Sequence, residues 1–250
     1  MRRKLTAIAL SLVAALVLTA GGPNSTILVD DFNDGDDAGW EHEDLTEGTA
    51  WGPAIFDASS GAYHFQSRGL VPVDDPNVGT IDAHWRPSIN EPRFANGTLR
   101  GTFRADTAGS TVGFLLRTND EAVTDYGFYG STSFGTFYIE SFDTTTHPNA
   151  PQTIIAMADP AEFPFVAGQA YHVEASVVGH NIQMKAWKVG DPEPVTPMLS
   201  LQDKSLKPES GSAICVITIF DPVPLSAAGV TAVRVSGTFD DITFTPGRPR

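Results

Sequence analysis

Five aspartates crowd the eleven residues DDFNDGDDAGW, Asp30 to Trp40, and what such a cluster offers is hard oxygen donors. Calcium takes roughly six to eight oxygen ligands, and Asp30, Asp31, Asn33, Asp34, Asp36 and Asp37 could supply several of them from one turn. Carboxylates this close raise one another's pKa and oppose folding unless a cation neutralises them. The spacing is not that of an EF-hand loop, because Gly35 stands where the third oxygen ligand belongs. Aspartate, asparagine and glycine are also the residues tight turns use for backbone reasons. A solvated turn and a cation site therefore both stand.

A second group of residues suits sugar recognition, in which aromatic faces stack on pyranose CH groups while polar side chains reach the hydroxyls. The densest aromatic stretch is TDYGFYGSTSFGTFYIESF, 124–142. If it folds as a hairpin around Ser131 to Phe134, one face carries more aromatic surface than a core requires. Tyr126, Tyr129 and Tyr138 are the candidate platform, with Arg117 on the preceding strand and Trp85 as a further candidate. The phenylalanines read as core filler.

Catalytic constellations are harder to find. The six histidines are scattered, without HxH or HxxxH spacing, and no GxSxG elbow occurs. Glu41 and Glu43, in WEHEDLTEG, lie in a polar stretch that reads as loop, while Glu140 and Glu174 are isolated strand acids. Cys215 is the only cysteine, so an intramolecular disulfide is impossible, and its setting in AICVITIF suggests an inert core thiol. No catalytic residue is assigned.

These residues must be positioned by strands. The chain opens with MRRKLTAIALSLVAALVLTA, where three basic residues precede an apolar run and small residues follow, the pattern of a secretory signal peptide over 1–21. The run is too short to span a bilayer, and no later segment could. With no cysteine near the small-residue site for lipid attachment and no apolar tail, a secreted, soluble product is expected. The formal charge is −14, and loss of the leader makes it more negative by three. So acidic a surface repels phosphate backbones and excludes nucleic acid as a partner.

Beyond the leader, no stretch shows helical periodicity. Thirteen runs rich in Val, Ile, Thr, Phe and Tyr read as strands: 26–32, 54–56, 62–67, 79–85, 97–105, 111–118, 125–131, 135–142, 153–157, 170–178, 181–189, 212–220 and 232–245. Hairpins are legible in FDASSGAYHF and in YHVEASVVGHNIQMKAW. So many strands split into two packed layers. The expectation is an all-β fold, a two-layer antiparallel β-sandwich of jelly-roll type over 22–250, preceded by a signal-peptide helix.

ILVDDFNDGDDAGW at the front, STVGFLLRTND, AYHVEASVVGHNIQMKAWKVGDPEP and the closing SGTFDDITFTP together cover nearly the whole mature chain. In pattern and order they resemble the concanavalin A-like lectin and glucanase superfamily, especially the secreted laminin-G-like domains of bacteria. The resemblance implies that the first and last strands pair and hold a structural calcium where they meet. Carried onto this chain, the ligands are Asp31 (or Asp30) and Asp241, with Asp34, Gly35 and Asp36 contributing from the turn. It implies, too, a catalytic Glu-x-Asp-x-Glu strand in the glucanases and a Gln-x-His strand in the lyases of this fold, and both are missing here. The expected function is thus a non-catalytic, carbohydrate-binding sandwich with calcium. A divergent glycoside hydrolase or polysaccharide lyase, and a structural cell-surface or matrix protein, are the alternatives.

Overall fold

Alternation along three segments decides the first sheet. Gly97–Ala105 buries every second residue from Gly97 onward, and Tyr171–Val178 and Asn181–Lys188 each keep one dry face, which is how a strand with water on one side must be written. The structure, a computed structural model, describes residues 27–44, 49, 51–72, 80–85, 94–119, 124–144, 152–206, 213–220 and 229–247. The expected signal peptide lies outside them. In spatial order the first sheet runs β14 (Leu199–Gln202), β13 (Asn181–Lys188), β12 (Tyr171–Val178), β7 (Gly97–Ala105), β17 (Ser236–Pro246), β4 (Tyr63–Gln66) and β3 (Ile55–Asp57). β1 (Ile27–Asp30) is added alongside β17.

The second sheet is different in kind. Its order is β11 (Gln152–Met157), β10 (Thr136–Asp143), β9 (Thr124–Ser131), β8 (Ser110–Asn119), β15 (Ala213–Phe220), β6 (Ile81–Trp85) and β2 (Trp40–Asp44). β8 is buried along nearly its whole length, and β9 and β10 almost as completely. Both faces of its central strands are therefore covered. A short pair, β5 (Val71–Pro72) with β16 (Ala232–Val233), closes one end. All pairings are antiparallel, and no α-helix occurs among the described residues.

The sheets face each other across aromatic contacts. Phe103 of β7 meets Phe114 of β8 edge-on at 5.4 Å, and Phe137 of β10 meets Tyr171 of β12 at 5.2 Å. Leu99, Val173, Phe239 and Phe244 from the first sheet and Val112, Phe128, Ile139 and Val216 from the second complete one continuous core. The expected all-β sandwich is what forms, and the β9–β10 and β12–β13 hairpins turn where their sequences place them. Three strands lie outside the thirteen expected runs: β2, β5 and β14. β2 and β14 are edge strands carrying polar or short segments, so neither shows a two-sided apolar pattern. The expected 232–245 strand is interrupted after Val233, dividing it into β16 and β17.

Two devices lock the layers. Arg117 adopts a left-handed backbone (φ 58°) where the β8–β9 register shifts, which turns its side chain into the interior. There it donates to the carbonyls of Ala95 (2.7 Å), Leu206 (3.2 Å) and Gly179 and to Asn96 Oδ1 (3.2 Å). Asp106, after β7, accepts from Thr238 Oγ1 (2.8 Å), Ser236 Oγ (3.2 Å) and Arg104 and pairs with His64 (3.1 Å). Burial alone would raise the Asp106 carboxyl, but bonds from His64, Arg104 and Thr238 outweigh it and hold the group down to about 2. The bond to Asp106 likewise raises His64 against the effect of its own burial.

The sign of the linkage follows. A carboxyl at about 2 when folded and near its ordinary value when unfolded adds stability above pH ~4, lost as pH falls toward ~2. The raised His64 adds stability at pH below ~6.5, lost as pH rises through its folded value. Asp106→Asn is thus expected to lower stability by roughly 1–2 kcal/mol near pH 5, where both contributions act. Thermal midpoints measured across pH 3–9 check this, and a uniform offset at every pH would contradict it.

Candidate functional site

β6 reads Ile81-Asp82-Ala83-His84-Trp85. Ile81 and Ala83 point into the core, so period two places Asp82 and His84 together on the outer face of the second sheet. Register carries the pattern sideways. Cys215 of β15 lies opposite His84, and Glu43 of β2 lies opposite Asp82. On the far side of the sheet Asp125 of β9 and Glu140 of β10 face the same way. These groups line a cleft of about 360 Å³ together with Thr80, Thr118, Asn119, Thr124 and Gln152, over an apolar floor that includes Leu115, Tyr129 and Ile217.

Tyr129 shapes that floor. Its ring lies over Gly127 and Gly113: a Cβ on Gly127 would sit 2.1 Å from Tyr129 Cε2, and one on Gly113 2.4 Å from Cδ1. Only glycine lets the ring lie this low across neighbouring strands. Tyr138 packs beside it at 5.0 Å, and Phe134 meets Tyr138 edge-on.

Electrostatically the cleft is an acid trap. Burial, then the charges of Glu140 and Asp82, push Asp125 up to about 8. At neutral pH it therefore carries its proton. Burial, with Asp82, Asp125 and Glu43 nearby, drives the Cys215 thiol well above its ordinary value, the opposite of what a nucleophilic cysteine requires. His84 Nε2 stands 3.3 Å from Asp82 Oδ1 and 3.4 Å from Glu43 Oε2.

The sequence-derived candidates divide by strand parity. Tyr129 and Tyr138 do lie on the outer face, but flat, with 4% and 1% of their surface exposed. Tyr126 lies on the opposite face of the same strand, buried between the sheets, where its hydroxyl donates to Asp203 (3.0 Å). Arg117 is likewise interior. Trp85 packs edge-on against Phe94 beside the core rather than over the cleft. Trp187 lies half-buried on the outer face of the first sheet beside His172 and Arg100. The Glu41–Glu43 segment, read as loop, is the edge strand β2, which is how Glu43 reaches the cleft.

Where the first strand meets the last, Asp30 pairs with Ile242, joining β1 and β17 as neighbours. Asp31 and Asp241 both lie close enough to Asp240 to raise it, behind burial as the larger cause. The rest of the acidic turn accounts for its own shape. Asp31, Asp34 and Asp36 each accept the amide two residues on, Asp30 accepts from Phe32 N and Trp40 Nε1, and Asp37 accepts from Tyr63. Asp31, Asp34, Asp36 and Asp241 offer oxygen donors of the kind calcium takes, and the same turn bond sets the local shape at Asp31, Asp34 and Asp36 alike.

Signals for the cleft were present but weak. Asp82 and His84 alternate with apolar residues in a short run, a polar pair on one face of a strand. Nothing local joins them to Cys215, more than a hundred residues away.

No protein-family model matches the chain, and no curated protein matches it. Solved structures do. The catalytic domain of an endo-1,3-β-glucanase (laminarinase) from Thermotoga petrophila superposes with a TM-score of 0.56 at 10% identity, covering 91% of this chain and 100% of the other. A Bacillus licheniformis β-glucanase gives 0.52 at 11% identity, covering 91% and 99%. A prokaryotic β-1,3-1,4-glucanase (lichenase) from a mouse hindgut metagenome gives 0.54 at 11%, covering 87% and 97%. The fold is the two-layer β-sandwich of these glucanase structures. At such identity the likeness concerns architecture, and chemistry has to be read from the side chains.

Proposed function

We propose that this chain is a secreted, carbohydrate-binding sandwich whose glycan lies in the cleft on the outer face of the second sheet. The observation that carries the reading is the cleft itself: an apolar floor with a flat tyrosine, walled by acids, amides and hydroxyls. That combination suits a sugar, which offers CH faces and hydroxyl edges together. The test is a glycan screen on the full chain that begins with β-1,3- and mixed-linkage β-glucans, the classes named for the structural neighbours. Saturable binding supports the reading, and no binding to any glycan removes it.

One observation favours hydrolysis as a second reading. Asp125, proton-bearing at neutral pH, and Glu140 occupy diagonal positions on adjacent strands, since Asp125 faces Phe142 and Glu140 faces Gly127. Diagonal neighbours on one face bring their side chains within reach of each other, as the effect of Glu140 on Asp125 reflects, and an inverting reaction uses one carboxylic acid with one carboxylate on either side of the scissile bond. In that reaction Asp125 would protonate the leaving oxygen and Glu140 would activate water. New reducing ends released by the wild type and not by Asp125→Asn would establish it. Binding without release leaves the lectin reading.

For the junction of the chain ends we infer a structural calcium held by Asp31 and Asp241, supported by the hard donor set and the convergence of charge on Asp240. A ligand that binds only the folded state raises stability by mass action. Chelation is therefore expected to lower the thermal midpoint and added calcium to restore it, with no response in Asp241→Asn. A wild-type midpoint indifferent to chelator would dispose of the ion.

A further inference from the structure

We propose that Asp82, His84 and Cys215 form a binding site for a zinc-class divalent cation at one end of the cleft, with Glu43 completing the set. All three side chains are buried, and one ligand atom from each lies within 4.8 Å of the others. Two come from one strand at period two and the third from the strand beside it, directly across the register. The triangle is therefore fixed by backbone pairing rather than by a flexible loop. Glu43 belongs to β2 on the other side of β6 and has a half-exposed side chain, so it can close over the ion from the cleft rim.

The two distances at His84 fit tetrahedral coordination. Two nitrogen or oxygen donors on zinc, each bonded at roughly 2.0–2.1 Å, lie about 3.3–3.4 Å apart, and a sulfur at roughly 2.3 Å lies about 3.6 Å from either. His84 Nε2 stands 3.3 Å from the Asp82 oxygen and 3.4 Å from the Glu43 oxygen. Both carboxylates approach the same ring nitrogen. A catalytic relay would need the acid on one nitrogen and the thiol on the other. Convergence on a single point is what ligands around an ion show.

Donor type selects the ion. One thiolate, one imidazole and two carboxylates make a borderline set that favours zinc over calcium or magnesium, which seek oxygen alone. Binding would expel the Cys215 proton to solvent and set a divalent charge among Asp82, Glu43 and the thiolate. This site is independent of the acidic turn at the chain ends, and of whether the cleft takes a glycan.

Cobalt(II) reports on it directly. Full-length protein, reduced and stripped with chelator, is titrated with Co²⁺ and then Zn²⁺. The expected result is one cobalt per chain bound with thiolate-to-cobalt charge-transfer absorption, displaced by zinc and lost in Cys215→Ser and His84→Gln. Because Cys215 is a core residue, His84→Gln decides the matter should the serine variant fail to fold. Its thermal midpoint should no longer rise on adding zinc, whereas the wild-type midpoint should. Cobalt binding without charge-transfer absorption, or zinc stabilisation retained in His84→Gln, overturns the proposal.

Discussion

Arg117→Met should destabilise the protein by about 3–5 kcal/mol, the largest loss expected from any single substitution discussed here. Methionine fills much of the same volume but donates no hydrogen bond. Three backbone carbonyls would lose their shared partner, while the Asn96 amide oxygen would keep only its bond from Gly179 N. Each buried acceptor left unsatisfied costs about 1–3 kcal/mol, and partial hydration keeps the total well below the sum. The effect is also spread across the fold. Ala95 and Asn96 precede β7, Gly179 turns the β12–β13 hairpin, and Leu206 follows β14, so one guanidinium ties three segments to β8. The left-handed backbone at residue 117 would then remain with nothing to offset its strain. A fall in thermal midpoint on the order of 10 °C corresponds to this loss for a chain of this size, and denaturant unfolding with an unchanged m-value would confirm that stability alone has changed. A midpoint within about 2 °C of wild type would show that water or a neighbouring donor replaces the arginine.

Gly127→Ala is expected to abolish the cleft as a binding site while leaving the sandwich folded. The added methyl would fall 2.1 Å from Tyr129 Cε2 and 2.5 Å from its hydroxyl oxygen, so the ring must leave. Its only exit is outward, into the space a ligand would use. Overpacking of this kind costs about 1–3 kcal/mol in stability, and affinity for whichever glycan the screen identifies should fall at least about tenfold, equivalent to ~1.4 kcal/mol. Adding Tyr129→Ala to Gly127→Ala removes the clash. The double variant should be no more stable than Gly127→Ala, since deleting a ring this buried costs about 3–5 kcal/mol, and it should not recover affinity, because the ring that floors the site is gone. Calorimetric titration together with thermal melting separates these outcomes, and full affinity in Gly127→Ala would show that the glycan does not lie on this floor.

Local sequence settled what depends on neighbours along the chain. Alternation in Gly97–Ala105, Tyr171–Val178 and Asn181–Lys188 settled which residues of these strands face the core, because a side chain's face depends only on position parity once its strand exists. Glycine, asparagine and aspartate marked the hairpin turns for the same local reason. β2 was missed because an edge strand needs to bury only one or two residues. In WEHED only Trp40 is buried, so no periodic signal accumulates.

Function stood on contacts the chain does not make with itself locally. Within the aromatic run, Tyr126 and Tyr129 differ by an odd number and so fall on opposite faces, but composition could not say which face meets the other sheet. Packing decided it, and turned Tyr126 inward and Tyr129 outward. Arg117 reads as a solvent-facing cation in an isolated strand, and only the register shift beside it sends it inside. Asp82 and His84 were a visible pair, Cys215 a lone thiol and Glu43 a loop acid until β6 was inserted between β2 and β15. Strand order is set by which apolar faces can be buried together across the whole sandwich, a sum over both layers. For that reason the sequence alone determined an all-β chain with an acidic stretch in its opening and its closing strand regions, and the tertiary structure alone decided that these pair and where its acids, its histidine and its thiol converge.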